Sequence, residues 1–197
     1  VFVGAIATLR YSPLNQKEQL SDQELVEQCL QGQSQSFGLL YHRHQQRVRS
    51  ILYPLCDGAA LDDLVQDVFL RAWKGLPNFR RTAQFSTWLY RIAWNVAMDQ
   101  RQVAAQRHQR LNPLSSEQSA QQPPPDLMHL HYQDLVQRGL NYLSFDHRTV
   151  LVLHDLEELP QKEIAVILDI PVGTVKSRLF HARAALRQFF QQQGVQL

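Results

Sequence analysis

Lys176, Arg178, Arg183 and Arg187 fall within residues 173 to 190, where no acidic side chain occurs, and Ser177, Phe180 and His181 stand among them. That mixture suits one chemistry in particular. Cations neutralise phosphates, hydroxyl and imidazole groups hydrogen-bond base edges, and an apolar ring meets a thymine methyl. The same segment repeats Val175, Leu179, Ala182 and Leu186 at spacings of four, three and four, the period of a helix with one buried face. At about 100° per residue, Gly173, Ser177, Phe180, His181 and Ala184 then point away from that face, with Thr174, Lys176 and Arg183 on its flanks. Phe180 gains nothing from water there. The pattern is that of a recognition helix rather than of a hairpin that only packs a core.

The elements that must position this helix can be read outward from it. Glu163, Ile164, Ala165, Ile167 and Leu168 predict a short helix before it, with Pro160 at its start and Ala165 small where two helices cross closely. Pro171 fixes φ at the entrance to the second helix. Leu135, Leu140, Leu143, Val150, Leu151, Leu153 and Leu156 predict one or two helices further upstream. Residues 101 to 126 read RQVAAQRHQRLNPLSSEQSAQQPPPD, too poor in large apolar side chains to offset their ordering entropy, and are expected to form a linker. Ahead of it come four helical patterns. Ser21 and Glu24 have the spacing of a capping box, opening a helix with Leu25, Val26 and Leu30 on one side and ending near Gly32. A second runs from about Ser36 to Leu55, with Phe37, Leu40, Val48, Ile51 and Leu52 inward, and a third from Leu61 to Gly75, stopped by Gly75 and Pro77. The fourth is expected over Ser86 to Arg101, burying Trp88, Leu89, Ile92 and Val96. The fold class is therefore all-α. Two small helical domains, 20–102 and 127–192, are joined by a flexible linker, 103–126, and preceded by an arm, 1–19.

Charge is segregated along the chain. Residues 71 to 110 hold eight basic side chains against the single acid Asp99, whereas 57 to 67 hold Asp57, Asp62, Asp63 and Asp67 and no base. Opposed zones of this kind imply more than one kind of partner. Several classes find no support. No run approaches the length of a membrane span, and the opening VFVGAIATL has no basic segment before it, so a signal peptide is not expected. Cys29 and Cys56 make no paired motif and fit two inert thiols in a reducing cytoplasm. His42 and His44, like His129 and His131, stand two apart, a spacing that a helix sends to different faces, so no metal is expected. With no Ser/His/Asp set and no Gly-rich phosphate loop, neither catalytic residues nor a cofactor are assigned.

Three stretches in order carry a family resemblance. EIAVILDIPVGTVKSRLFHARAAL resembles the region 4 helix-turn-helix of bacterial sigma factors of the extracytoplasmic-function type; LDDLVQDVFLRAWKGLPNF and FSTWLYRIAWNVAMDQRQ resemble region 2 of the same group. The resemblance implies that the helix bearing Asp62, Asp63, Gln66, Asp67, Leu70 and Trp73 docks on the clamp coiled coil of the RNA polymerase β′ subunit, the β flap being a further contact of the core enzyme. The residues agree: Asp63 and Asp67, one turn apart, offer an acidic, partly apolar surface to a basic helix pair. It implies that Phe79, Arg80, Arg81 and Asn95 belong to the element recognising the promoter −10 sequence. A strand being opened needs cations along its backbone and a pocket for an unstacked base. Trp88 reads as core, while Tyr90 and Trp94 suit either stacking on a base or covering a surface between domains. In region 4, Lys176, Ser177, Phe180 and His181 are carried over as −35 contacts, and Arg178 and Arg183 as phosphate contacts. The family often has Arg where this chain has His181, a departure that bears on which −35 bases are read. The function implied is promoter-specific initiation with core polymerase, under control of an anti-sigma protein, in the cytoplasm. The alternative is a free-standing two-domain helix-turn-helix regulator that binds a palindrome without polymerase.

Overall fold

The computed structural model describes residues 20–56, 61–80, 83–110 and 127–195. Its helices are α1 (Asp22–Leu30), α2 (Gln35–Leu52), α3 (Leu61–Gly75), α4 (Phe85–Arg110), α5 (Leu127–Tyr142), α6 (Phe145–Leu151), α7 (Gln161–Leu168) and α8 (Val172–Gln192). A short 3₁₀ turn, Leu76–Asn78, follows α3, and a π-helical turn, Val152–Leu156, continues α6. Among the described residues there is no strand.

The first unit packs α1 on α2 and lays α3 and α4 against it. Its start is held by the expected capping box: Glu24 N–H donates to Ser21 Oγ at 3.3 Å, and Ser21 N–H donates back to Glu24 Oε2 at 2.8 Å. Leu25, Val26, Leu40, Val48, Ile51, Leu52, Val68 and Leu89 are fully buried and form the core, each such side chain stabilising the fold by about 1.5–3 kcal/mol. His44 is buried among them, its Nε2 2.7 Å from Asp22 Oδ2, while Arg43 Nη1 lies 2.6 Å from the other oxygen of the same carboxylate. α3 ends where Gly75 and Pro77 predict. α4 does not end at Arg101; it continues to Arg110. RQVAAQRHQR is made almost wholly of good helix formers, and no breaker occurs before Pro113. The linker expected over 103–126 thus begins as helix, and 111–126, like the arm 1–19, lie outside the described residues.

The second unit is built around α8, on which α5, α6 and α7 pack. Gly139 on α5 lets the two backbones approach: a Cβ there would lie 2.8 Å from Leu186 Cδ1 and 3.3 Å from Phe189 Cδ1. Ser144 caps α6 by accepting from the His147 N–H at 3.4 Å.

The two units also pack on each other, which the linker composition does not predict. Phe85 and Leu89 of α4 share one continuous apolar core with Ile164 and Ile167 of α7. Polar contacts follow the same seam. Arg47 on α2 donates from Nε to the buried Glu157 carboxylate at 3.1 Å and from Nη2 to the Glu157 carbonyl. Arg148 Nη1 donates to the Pro54 carbonyl at 3.3 Å, and the Arg101 guanidinium sits 4.9 Å from the Phe145 ring centre.

Candidate nucleic-acid interface

Three surfaces gather the residues singled out above. The first is the outer ridge of α3. Val65, Val68, Phe69 and Ala72 turn into the core, so helical geometry sends Asp62, Asp63, Gln66 and Leu70 outward. Leu70 is 56% exposed and Trp73 41% exposed, with the indole edge-on to Phe37 at 4.9 Å. The acids are unequal. Asp62 pairs with Arg49 of α2, and Asp67 is held 2.9 Å from Arg71, which reaches Asp99 of α4 at 2.6 Å. These two carboxylates, hydrogen-bonded to its guanidinium, hold the Arg71 pKa above its ordinary value. Asp63 has no ion-pair partner among the described residues and faces solvent.

The second surface lies where α3 hands over to α4. A cavity of about 260 Å³ opens between Phe79, Arg80, Thr87, Trp88, Arg91 and Val166. Phe79 is half-buried, its ring 4.9 Å from Trp88 and 6.1 Å edge-on to Phe85, so an aromatic floor lies beneath two cationic rims, Arg80 and Arg91. Trp88 is not fully core: its half-buried ring forms part of this floor. Asn95 is exposed on α4 one turn beyond Arg91 and stands outside the cavity. Arg81 lies outside the described residues. Thr87 was not singled out from sequence; the signal available was its i, i+4 spacing from Arg91 on the face of α4 that carries Asn95. Tyr90 proves to be buried, with Arg47 5.9 Å above its ring, and burial pushes its hydroxyl pKa up to about 12. It is not placed to stack on a base.

The third surface is the α7–turn–α8 unit. Asp169 takes a left-handed conformation (φ 56°) at the end of α7, and the Ile170 N–H turns back to the Ala165 carbonyl at 3.1 Å. Pro171 (φ −60°) then opens α8. Val175, Leu179 and Ala182 are buried as their spacing predicts. Lys176, Ser177, His181 and Arg183 are exposed, Arg178 is half-buried, and Phe180 is 71% exposed. The two arginines are not idle: Arg178 pairs with Asp146 at 2.7 Å and Arg183 with Asp155 at 2.5 Å. Hydrogen bonds from Arg183 hold the Asp155 carboxyl below its ordinary pKa, and Asp155 raises that of Arg183 in return. His181 stacks on His147 of α6, ring centres 6.1 Å apart. An anion reaching either guanidinium would have to displace Asp146 or Asp155.

Among the described residues no three His, Cys, Asp or Glu side chains converge as a metal ion would need, and no helix is long and apolar enough to cross a membrane.

Comparison with known proteins gives this geometry its context. Residues 40–107 match the family Sigma-70 region 2, and residues 133–186 match Sigma-70, region 4. Those two regions in one chain define a sigma factor of the sigma-70 class. The ECF RNA polymerase sigma-E factor of Escherichia coli K12 is 35% identical over 184 residues, covering 86% of this chain and 94% of that protein. The sigma-E factor of Haemophilus influenzae is 33% identical over 184 residues, covering 88% and 97%. Two solved structures share the fold. The sigma factor RpoE of Bartonella quintana, in complex with the anti-sigma factor NepR, superposes with a TM-score of 0.65 at 26% identity over 79% of this chain and 96% of that one. CnrH, in complex with the cytosolic domain of CnrY, gives 0.62 at 28% identity over 87% and 97%. The chain belongs to the extracytoplasmic-function sigma factors.

Proposed function

We propose that this chain binds core RNA polymerase and directs it to promoters by reading two separated elements, one with each helical unit. The observation that carries the reading is the pairing of two unlike surfaces on one chain. One is an aromatic-floored cavity with cationic rims, suited to an unstacked base on a single strand. The other is a protruding recognition helix, suited to the major groove of a duplex. A regulator that binds duplex alone has no use for the first.

Phe79, Arg80, Arg81 and Asn95 hold the −10 element in this account, joined by Trp88 and Arg91, and the unit is that of residues 20–102. Lys176, Ser177, Phe180 and His181 read the −35 element, and Arg178 and Arg183 hold its phosphates, within residues 127–192. The α3 ridge of Asp62, Asp63, Gln66, Asp67, Leu70 and Trp73 anchors the chain to the polymerase. Its acid-plus-apolar character complements a basic helical partner, and exposed Leu70 and Trp73 supply area that water does not reward. The chain supplies binding energy and no bond chemistry; it is a cytoplasmic initiation factor rather than an enzyme. Both structural neighbours were solved with an anti-sigma factor or a partner's cytosolic domain, and the same kind of regulator is proposed here.

A gel-shift on pooled genomic fragments tests this. Fragments retained only when core polymerase is added support the account. Retention of palindromic fragments by the chain alone defeats it.

A further inference from the structure

His181, the exposed imidazole of α8, does not stand alone. Its ring stacks on that of His147 in the first turn of α6, the centres 6.1 Å apart and the planes 26° from parallel, while Phe180 meets it edge-on at 5.4 Å. His147 is half-buried and His181 exposed, so one ring backs the other and the outer one is offered to solvent. The backing residue is itself fixed. Its N–H donates to Ser144 Oγ at 3.4 Å, the cap that starts α6. Beside it, Asp146 pairs with Arg178 at 2.7 Å, one turn before His181 on α8. Behind this edge the two helices pack on each other, with Val150 and Leu151 of α6 and Leu179 and Ala182 of α8 buried.

What such a pair can do follows from the chemistry of the outer ring. An imidazole has far fewer hydrogen-bonding atoms than a guanidinium, and they lie in the plane of the ring. A hydrogen bond to a base edge weakens steeply as alignment is lost, so the plane in which the ring is held decides whether it reads a base or merely touches one. An exposed side chain changes rotamer freely. One stacked on a fixed neighbour is held, and its ordering is complete before DNA arrives. We propose that His147 is a positioning residue for −35 readout: it contacts no base itself, but holds the His181 ring in the plane that reads one. Base preference at one position of the −35 element is then set by α6 as well as by the recognition helix. The proposal rests on the assignment of His181 to the −35 element, and it gives a role to a ring that lies outside the buried core.

The test uses holoenzyme assembled from core polymerase and the full chain or its variants His181→Ala, His147→Ala and His147→Phe. Duplexes carrying the more distant of the upstream blocks shared by chain-directed starts, each with a single base pair replaced, compete for binding. The ratio of affinities is read at every position. His181→Ala marks the position that His181 reads. His147→Ala is expected to reduce discrimination at that same position by about fivefold, the worth of an aromatic pair, and to leave the other positions within about twofold. His147→Phe, which stacks but neither donates nor accepts a hydrogen bond, is expected to keep wild-type discrimination there. Circular dichroism and a thermal melt verify that the helices are retained in each variant. A merely structural role predicts uniform weakening at every position, and direct contact of His147 with DNA predicts the same loss in His147→Phe as in His147→Ala. Either result overturns the proposal, and so does unchanged discrimination in His147→Ala. If His181→Ala alters no position, the −35 assignment of His181 has failed and the proposal falls with it.

Discussion

Asp63→Lys is the sharpest probe of the α3 ridge, and the structure explains why it is a cleaner choice than the neighbouring acids. Asp67 is tied to Arg71, and through it to Asp99 on α4. Asp62 is tied to Arg49 on α2. Reversing either charge disturbs packing between helices as well as any docking. Asp63 is exposed and has no ion-pair partner among the described residues. Its contribution to the fold reduces to a favourable position in the first turn of α3, worth about 0.3–1 kcal/mol. A stability loss of that size moves the midpoint of a chain this long by about 1–4 °C. Docking is another matter. Placing a cation where a basic helix pair must approach costs about 2 kcal/mol, roughly thirtyfold in Kd. The assay is a titration of labelled chain with core polymerase at two salt concentrations, alongside a thermal melt. The expected result is a roughly thirtyfold weaker complex at low salt, a smaller deficit at high salt because exposed charges are screened, and a nearly unchanged melt. Wild-type affinity in the variant refutes the reasoning, since the residue would then lie outside the interface.

The remaining predictions concern stability and DNA. Phe180→Ala, at a residue 71% exposed, leaves the melting temperature within about 1 °C but weakens −35 duplex binding by polymerase holoenzyme by about 1 kcal/mol, concentrated at a T·A step, measured by competition among base-substituted duplexes. Lys176→Ala weakens −35 duplex binding by about 1–3 kcal/mol and relaxes the preference at one base pair, measured by the same competition. Gly139→Ala places a methyl 2.8 Å from Leu186 Cδ1, the end of a half-buried side chain that can move, and the helix-propensity gain of about 1 kcal/mol offsets the repacking, so denaturant unfolding shows a net change of no more than about 1 kcal/mol. For Asp22, burial pushes the pKa up, but the hydrogen bonds and charges of His44 and Arg43 outweigh it, so the folded pKa lies below the ordinary 3.8. A depressed folded pKa means stability that is present above about pH 4 and lost as pH falls through the folded value. Asp22→Asn should therefore melt lower than wild type at pH 7 and converge with it near pH 2; a constant gap across that range contradicts the assignment.

What the sequence disclosed and what it withheld follow from the range of the interactions involved. The limits of α3 were legible because Gly75 and Pro77 are local breakers, and the buried face of α8 because Val175, Leu179 and Ala182 repeat at helical spacing. The capping box of Ser21 and Glu24 was legible for the same reason: its partners are three residues apart. The end of α4 was not. Polar composition does not separate a solvated helix from coil, and residues 102–110 proved to be helix. Trp88 was read as core from its apolar character, but whether a ring faces inward or floors a cavity depends on α7, far along the chain. The partners of Arg178 and Arg183 lie on other elements, at Asp146 and Asp155, and no spacing rule reaches them. Packing of α7 on α4 was invisible for a further reason: the apolar spacing of each helix reads the same whether it meets its own unit or the other, and the structure joins both in one core.

The central claim is that one chain brings polymerase to two-part promoters. Transcription by purified core polymerase on a genomic fragment library, with and without the chain, followed by mapping of RNA 5′ ends, measures it directly. The account predicts a discrete set of chain-dependent starts sharing two upstream sequence blocks at constant separation. Starts no different from those of core polymerase alone would contradict it.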